Sequence, residues 1–190
     1  MNADTFERTK RARHLLRSPL IVLATTALPL FLTGCDMDSS DDSGGIPSAG
    51  ISSTENASDK TKQISSEIYD LIGVKGKLSE PGPGVHECDG KDKDRFFQAY
   101  HPWSLVPPSA ASLDGVMERL KTDLPRSGWK IMSYGRDSSR NRNVSLTADN
   151  DKKKFSVNIT HFAKDDPPML MVEVVSGCYE VPEGQHVETF

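Results

Sequence analysis

Apolar and polar positions alternate with two different periods along this chain. Leu113, Val116, Met117, Leu120 and Leu124 recur at the three-and-four spacing that lines one face of a helix. Ser109 or Ser112 is placed to cap its start, and Pro125 with Gly128 to end it. Elsewhere the period is two. Val144, Leu146 and Ala148 alternate with polar residues, and so do Phe155, Val157 and Ile159. Asp149-Asn150-Asp151-Lys152 supplies the turn between them. Arg95 to Leu105 is aromatic-rich and extended, Trp129 to Tyr134 reads as a strand, and Met169 to Ser176 is a continuous apolar run that suits a central strand. Asp165-Asp166-Pro167-Pro168 breaks the chain before that run. Short loops between successive strands imply antiparallel pairing. The pattern therefore predicts a two-layer α+β fold: a mostly antiparallel sheet with one amphipathic helix on one face.

Upstream the pattern thins out. Ile64, Ile68, Leu71 and Ile72 follow helical spacing and predict a short helix over 64–73, stopped by Gly73. Gly76 and Pro81-Gly82-Pro83-Gly84 interrupt the chain again. Residues 36–63 are mostly Asp, Ser, Gly, Thr, Asn and Lys, too polar to offset the entropy of ordering, and are expected to form a disordered tether. A coil of that length spans roughly 30 Å. The organisation expected is a leader over 1–34, a tether over 35–63, a short helix and Pro/Gly-rich connector over 64–84, and a compact domain over 85–190.

The N-terminus carries the strongest local signal. Arg8 to Arg17 is basic, Leu20 to Leu32 is apolar apart from Thr25 and Thr26 with Pro29 inside it, and Leu32-Thr33-Gly34-Cys35 closes the segment. A basic zone, a short apolar zone and small residues at the exit make an export signal. The apolar run is about 13 residues, against roughly 20 for a spanning helix. Leu32-Thr33-Gly34-Cys35 resembles a lipobox, in which small residues admit the peptidase and the Cys35 thiol accepts the diacylglyceryl group. At least two acyl chains on Cys35 would make attachment to a lipid bilayer effectively permanent, since each buried methylene contributes about 0.8 kcal/mol. Asp36 behind the cysteine resembles the signal that retains such proteins on the inner membrane. The expected location is the outer face of the cytoplasmic membrane.

Charge and cysteine count narrow the function classes. The chain has 23 basic and 27 acidic side chains. Without residues 1–34 it keeps 18 and 25, a net charge of −7. An acidic chain lacks the basic footprint of general nucleic-acid binding. Cys88 and Cys178 form an even pair in an exported chain and are expected to join as a disulfide that staples the domain. No Cys-x-x-Cys or His-x-x-x-His spacing favours zinc, and neither a metal nor a cofactor is expected. The sequence has no G-x-S-x-G or H-E-x-x-H. His101 and His161 fall in predicted strands and are read as structural. Asp149-Asn150-Asp151 opens like a calcium loop but has Lys154 and Thr160 where Gly and Glu are needed. One candidate binding surface is basic: Arg136, Arg140, Arg142, Lys152, Lys153 and Lys154, on two turns taken as neighbours, could face anionic wall polymer or an envelope protein.

His101-Pro102-Trp103-Ser104-Leu105, Leu124-Pro125-Arg126-Ser127-Gly128-Trp129-Lys130-Ile131, Tyr134-Gly135, Ser176-Gly177-Cys178-Tyr179 and Val181-Pro182-Glu183-Gly184 resemble small uncharacterised secreted lipoproteins of filamentous Gram-positive bacteria. The resemblance runs from about Cys88 to Gly184 and implies no active site. The expectation that follows is a membrane-anchored, non-catalytic binding or structural module of the cell envelope. The alternatives are a solute-binding accessory of a transporter and a small envelope hydrolase.

Overall fold

The computed structural model describes residues 45–79 and 81–189. The export signal, Cys35 and the first part of the expected tether lie outside the described residues. The order of elements is β1 (Ser48–Ile51), α1 (Thr54–Ile72), β2 (Lys77–Leu78), β3 (Gly84–Glu87), β4 (Phe96–Val106), a 3-10 turn (Ala110–Leu113), α2 (Val116–Arg126), β5 (Lys130–Arg136), β6 (Val144–Asn150), β7 (Phe155–Phe162), β8 (Met169–Ser176) and β9 (Cys178–Glu180). The fold is α+β, with a mostly antiparallel, curled sheet of nine strands.

The sheet runs β5, β6, β7, β8, β4, with successive antiparallel pairs throughout. The chain breaks at Gly177, and β9 continues along the same edge of β4. The opposite edge of β4 carries β3 and the two-residue β2. β1 pairs with β9 and is the parallel exception. Gly177 is required where it stands: a Cβ there would lie 2.5 Å from the Pro47 carbonyl oxygen.

Register decides which residues share a face. Leu146, Ile159, Val172 and Trp103 stand opposite one another across four strands, and Ala148, Val157 and Val174 form the next row. All are buried in one cluster with Ile64, Ile68 and Ile72 of α1 and Val116, Met117, Leu120 and Leu124 of α2. Both helices therefore cover the same face. The other face reads Ser145, Thr160, Met171 and then Thr147, Asn158, Glu173. It is partly or fully solvated and laced by side-chain bonds, such as Asn158 Nδ2 to Thr147 Oγ1 at 3.0 Å. One dry and one wet face is the ordinary condition of an antiparallel sheet.

Three expectations need correction. Two helices cover the sheet, where the pattern predicted one. The second is α1, which begins ten residues before the expected short helix and occupies what was read as tether. Its first half buries Thr54, Ala57, Ser58 and Thr61 instead of large apolar residues. Small side chains permit close approach, and Thr61 Oγ1 satisfies itself on the Ala57 carbonyl at 2.7 Å. Ser53 caps the start by accepting from the Asn56 N–H at 3.2 Å, and Gly73, at φ 64°, ends the helix. The folded unit thus reaches back to Ser48. Finally, α2 is not capped by Ser109 or Ser112: the 3-10 turn holds Leu113, and Gly115 at φ 69° stands at the N-cap. No helix among the described residues is long and apolar enough to cross a membrane.

The disulfide between Cys88 and Cys178 is present, with Cα atoms 6.0 Å apart and 90 residues of sequence separation. It joins the end of β3 to the start of β9.

Candidate functional site

A cleft of about 420 Å³ opens between α1, the β2–β3 connection and the middle of β4. Helical spacing brings Lys62, Ser65, Ser66 and Tyr69 to it from α1. Alternation along β4 brings His101 and Trp103. Leu78, Ser79, Pro81 and Gly82 form the third wall. Ser79 holds that wall on β4: its N–H donates to the Ser104 carbonyl at 3.0 Å, and its Oγ accepts from the Ser104 N–H at 2.8 Å.

His101 ties the walls together. Its Nε2 lies 3.0 Å from the Pro81 carbonyl oxygen and its Nδ1 2.9 Å from Ser65 Oγ. A carbonyl can only accept, so Nε2 carries the proton and Nδ1 accepts from the Ser65 hydroxyl. Burial, and secondarily the charge of Lys62, holds this imidazole below its usual range. The floor is apolar: Tyr69 meets Trp103 edge to face at 6.1 Å between centroids. Trp103 is 5% exposed.

A Ser–His hydrogen bond oriented by a third group is one element of nucleophilic catalysis. The rest of that machinery is missing among the described residues. Ser65 is itself buried, at 4% exposure, in the middle of α1. Its neighbouring backbone N–H groups are spent in the helix, so none is free to stabilise an oxyanion. No carboxylate is among the described residues that line the cleft. The arrangement orders the walls of the cleft.

His161 lies on β7, apart from the residues that line this cleft, and burial lowers its pKa as well. The two histidines give a pH dependence with a definite sign. Their unfolded values lie near about 6.5, and the folded values are lower. The unfolded chain therefore binds more protons as pH drops below about 6.5, and stability falls in that direction. Thermal melts between pH 8 and 5 should show a declining midpoint below about 6.5. His101→Gln should flatten part of the decline, and a midpoint constant over this range would contradict the assignment.

The six cationic residues predicted as one patch are not brought together. Arg136, Arg140 and Arg142 belong to the β5–β6 turn, whereas Lys152, Lys153 and Lys154 belong to the β6–β7 turn. Those turns sit at opposite ends of β6, separated by about 20 Å at the strand rise of roughly 3.3 Å per residue. Lys153 is paired with Glu67 of α1, and the Arg136 guanidinium donates to the Arg142 carbonyl at 2.9 Å. No group of three or more His, Cys, Asp or Glu side chains gathers as a metal site among the described residues. Sequence reasoning placed His101 in a strand but missed its partner: Ser65 sat in the short helix expected over 64–73, and nothing in its spacing points to β4.

Comparison with known proteins adds no relative: no family model, curated protein or solved structure matches the chain.

Proposed function

We propose that this chain is an envelope lipoprotein, held by acyl groups on Cys35 at the outer face of the cytoplasmic membrane, and that its folded unit is a non-catalytic binding module. The observation that carries the binding part is the cleft between α1 and β4. Its volume of about 420 Å³ lies within the range of small-molecule sites, roughly 300–1,000 Å³. The walls are fixed by the Ser65–His101–Pro81 bridge, so the site is largely pre-formed. The Cys88–Cys178 cross-link supports an oxidising, extracytoplasmic compartment. The Ser65–His101 bond favours a hydrolase as the second reading, but a buried serine inside a helix has poor access to substrate. A transporter accessory remains compatible with a small-molecule cleft, although such receptors usually close two lobes on their ligand. Anionic wall polymer stays a candidate partner for the Arg136, Arg140 and Arg142 turn alone.

The anchor is tested by fractionation. The wild-type chain should mature by cleavage before Cys35 and partition into the detergent phase. Cys35→Ala should accumulate as uncleaved precursor. Normal maturation of the Ala variant with unchanged partitioning would remove the lipoprotein reading.

A further inference from the structure

The folded unit meets its upstream chain at one end of the sheet, and that end carries lysines. The Cys178 N–H donates to the Pro47 carbonyl at 2.8 Å, and the neighbouring Gly177 N–H donates to the Lys154 carbonyl at 2.7 Å. The β6–β7 turn therefore stands beside the point where the chain arrives, and Ile46, Pro47 and Lys154 border the same hollow. Lys152 and Lys154 are exposed, with no carboxylate at ion-pair distance among the described residues. Lys60, also exposed, comes in from α1 with its Nζ 5.7 Å from the centre of the Phe155 ring. The acids nearby are mostly engaged. Glu67 holds Lys153, and Asp149 stands opposite Lys130 in register and accepts from Ser156 Oγ at 2.6 Å. Asp151 then faces Lys60, Lys152 and Lys154 as the remaining carboxylate of the turn. This end is cationic on a chain that is acidic in total.

We propose that the β6–β7 turn docks on anionic lipid headgroups of the bilayer that holds the anchor, with Lys60, Lys152 and Lys154 against the lipid phosphates. The length of the intervening chain favours this end. Eleven residues lead from Cys35 to Ile46. Fully stretched they reach about 40 Å, and as a coil about 18 Å. The β5–β6 turn, with Arg136, Arg140 and Arg142, lies at the other end of the sheet, about 20 Å farther along the strands. Tethering at the near end raises the effective concentration of its lysines at the headgroups. Each lysine close to an anionic surface favours contact about fivefold, so two net charges favour it about twenty-five-fold. Asp36, Asp38, Asp41 and Asp42 are the competing anions. Pairing with them would require ordering the segment that carries them, whereas a charged bilayer offers its phosphates without that cost. This assignment rests on the lipoprotein reading and adds to it the face turned toward the membrane.

The test uses the mature chain, with acylation of Cys35 verified first by the mass of the N-terminal peptide. The chain is placed in nanodiscs of phosphatidylcholine, and in nanodiscs of phosphatidylcholine and phosphatidylglycerol in equal parts. A trace of the lipid in each carries a gadolinium chelate on its headgroup, which broadens the resonances of nearby backbone amides. The amides of Asp151 to Lys154 should broaden more in the anionic nanodiscs than in the zwitterionic ones, and those of Ser139 to Arg142 should not. Molar salt should remove the difference, since it shortens the screening length to about 3 Å. Lys60→Gln, Lys152→Gln and Lys154→Gln together, all at exposed positions, should shift the ratio of docked to undocked protein at least about twenty-five-fold toward undocked. Arg140→Gln should leave it unchanged. Broadening at the turn that is equal in both nanodiscs, as expected if the aspartates hold the lysines, or that survives the triple change, would overturn the dock. A larger response of Ser139 to Arg142 to lipid charge would also overturn it, by assigning the contact to the opposite end. An unacylated chain would remove the lipoprotein reading itself, a result distinct from an acylated chain indifferent to lipid charge.

Discussion

Replacing both cysteines of the cross-link, Cys88→Ala with Cys178→Ala, should lower stability by about 4–5 kcal/mol, the largest effect expected of any change in the folded unit. The reason lies in the unfolded chain. The disulfide closes a loop of 90 residues, most of the folded unit, and so removes a large share of the conformations open to the denatured state. Typical domains have about 5–15 kcal/mol in total, so the loss takes a large fraction of it. Both cysteines are 2% exposed, so single replacement would leave a buried free thiol, and the double variant is the clean comparison. Urea unfolding should show a lower midpoint and a steeper slope, because the unlinked chain exposes more surface. A midpoint shift worth less than about 1 kcal/mol would show that the denatured chain is already compact without the bond.

The second large effect should come from α1. Ile68 is fully buried among residues of both helices and the sheet. Ile68→Ala removes three carbons from the centre of that contact and should cost about 2–5 kcal/mol, according to how far the cavity collapses. Gln63→Ala, on the exposed side of the same helix, should change stability by no more than about 0.5 kcal/mol. Thermal or urea unfolding of the two variants settles whether α1 is part of the cooperative unit. If Ile68→Ala unfolds like the wild type, the helix is an appendage and the cleft it builds has lost a wall.

How much of this could be read from the sequence varied with the size of the side chains involved. The strands β6 to β8 and the helix α2 were legible because Val, Ile, Leu and Phe mark their buried faces with a clear period, and β4 through its aromatic run. The second half of α1 was legible for the same reason, through Ile64, Ile68 and Ile72. Its first half was not, because Thr54, Ala57, Ser58 and Thr61 are small or hydroxylated and look solvated in a linear reading. β1, β2, β3 and β9 have two to four residues each, too few to display a period. The Cys88–Cys178 pairing was legible by count. The basic patch failed on geometry: two hairpins that share a strand must turn at opposite ends of it, so closeness in sequence separated the residues in space. The cleft was invisible because its walls come from segments 36 residues apart, joined by the bond from His101 to Ser65.

The pairing of Ser48 with Cys178 has a mechanical meaning. Only twelve residues separate Cys35 from Ser48, so on the proposed anchoring a pull from the bilayer would enter the sheet at β1. That strand is short, lies at an edge, and is the element the load would fray first. Its neighbour is a half-cystine. Once β1 peels away, the load passes along the chain through α1, β2 and β3 and first meets the bond at Cys88, which closes off the loop to Cys178 from further unravelling. The cross-link therefore acts as a stop: a tug on the leash would be spent on the segments before Cys88, α1 and its side of the cleft among them, while the strands between Cys88 and Cys178 would keep their spacing.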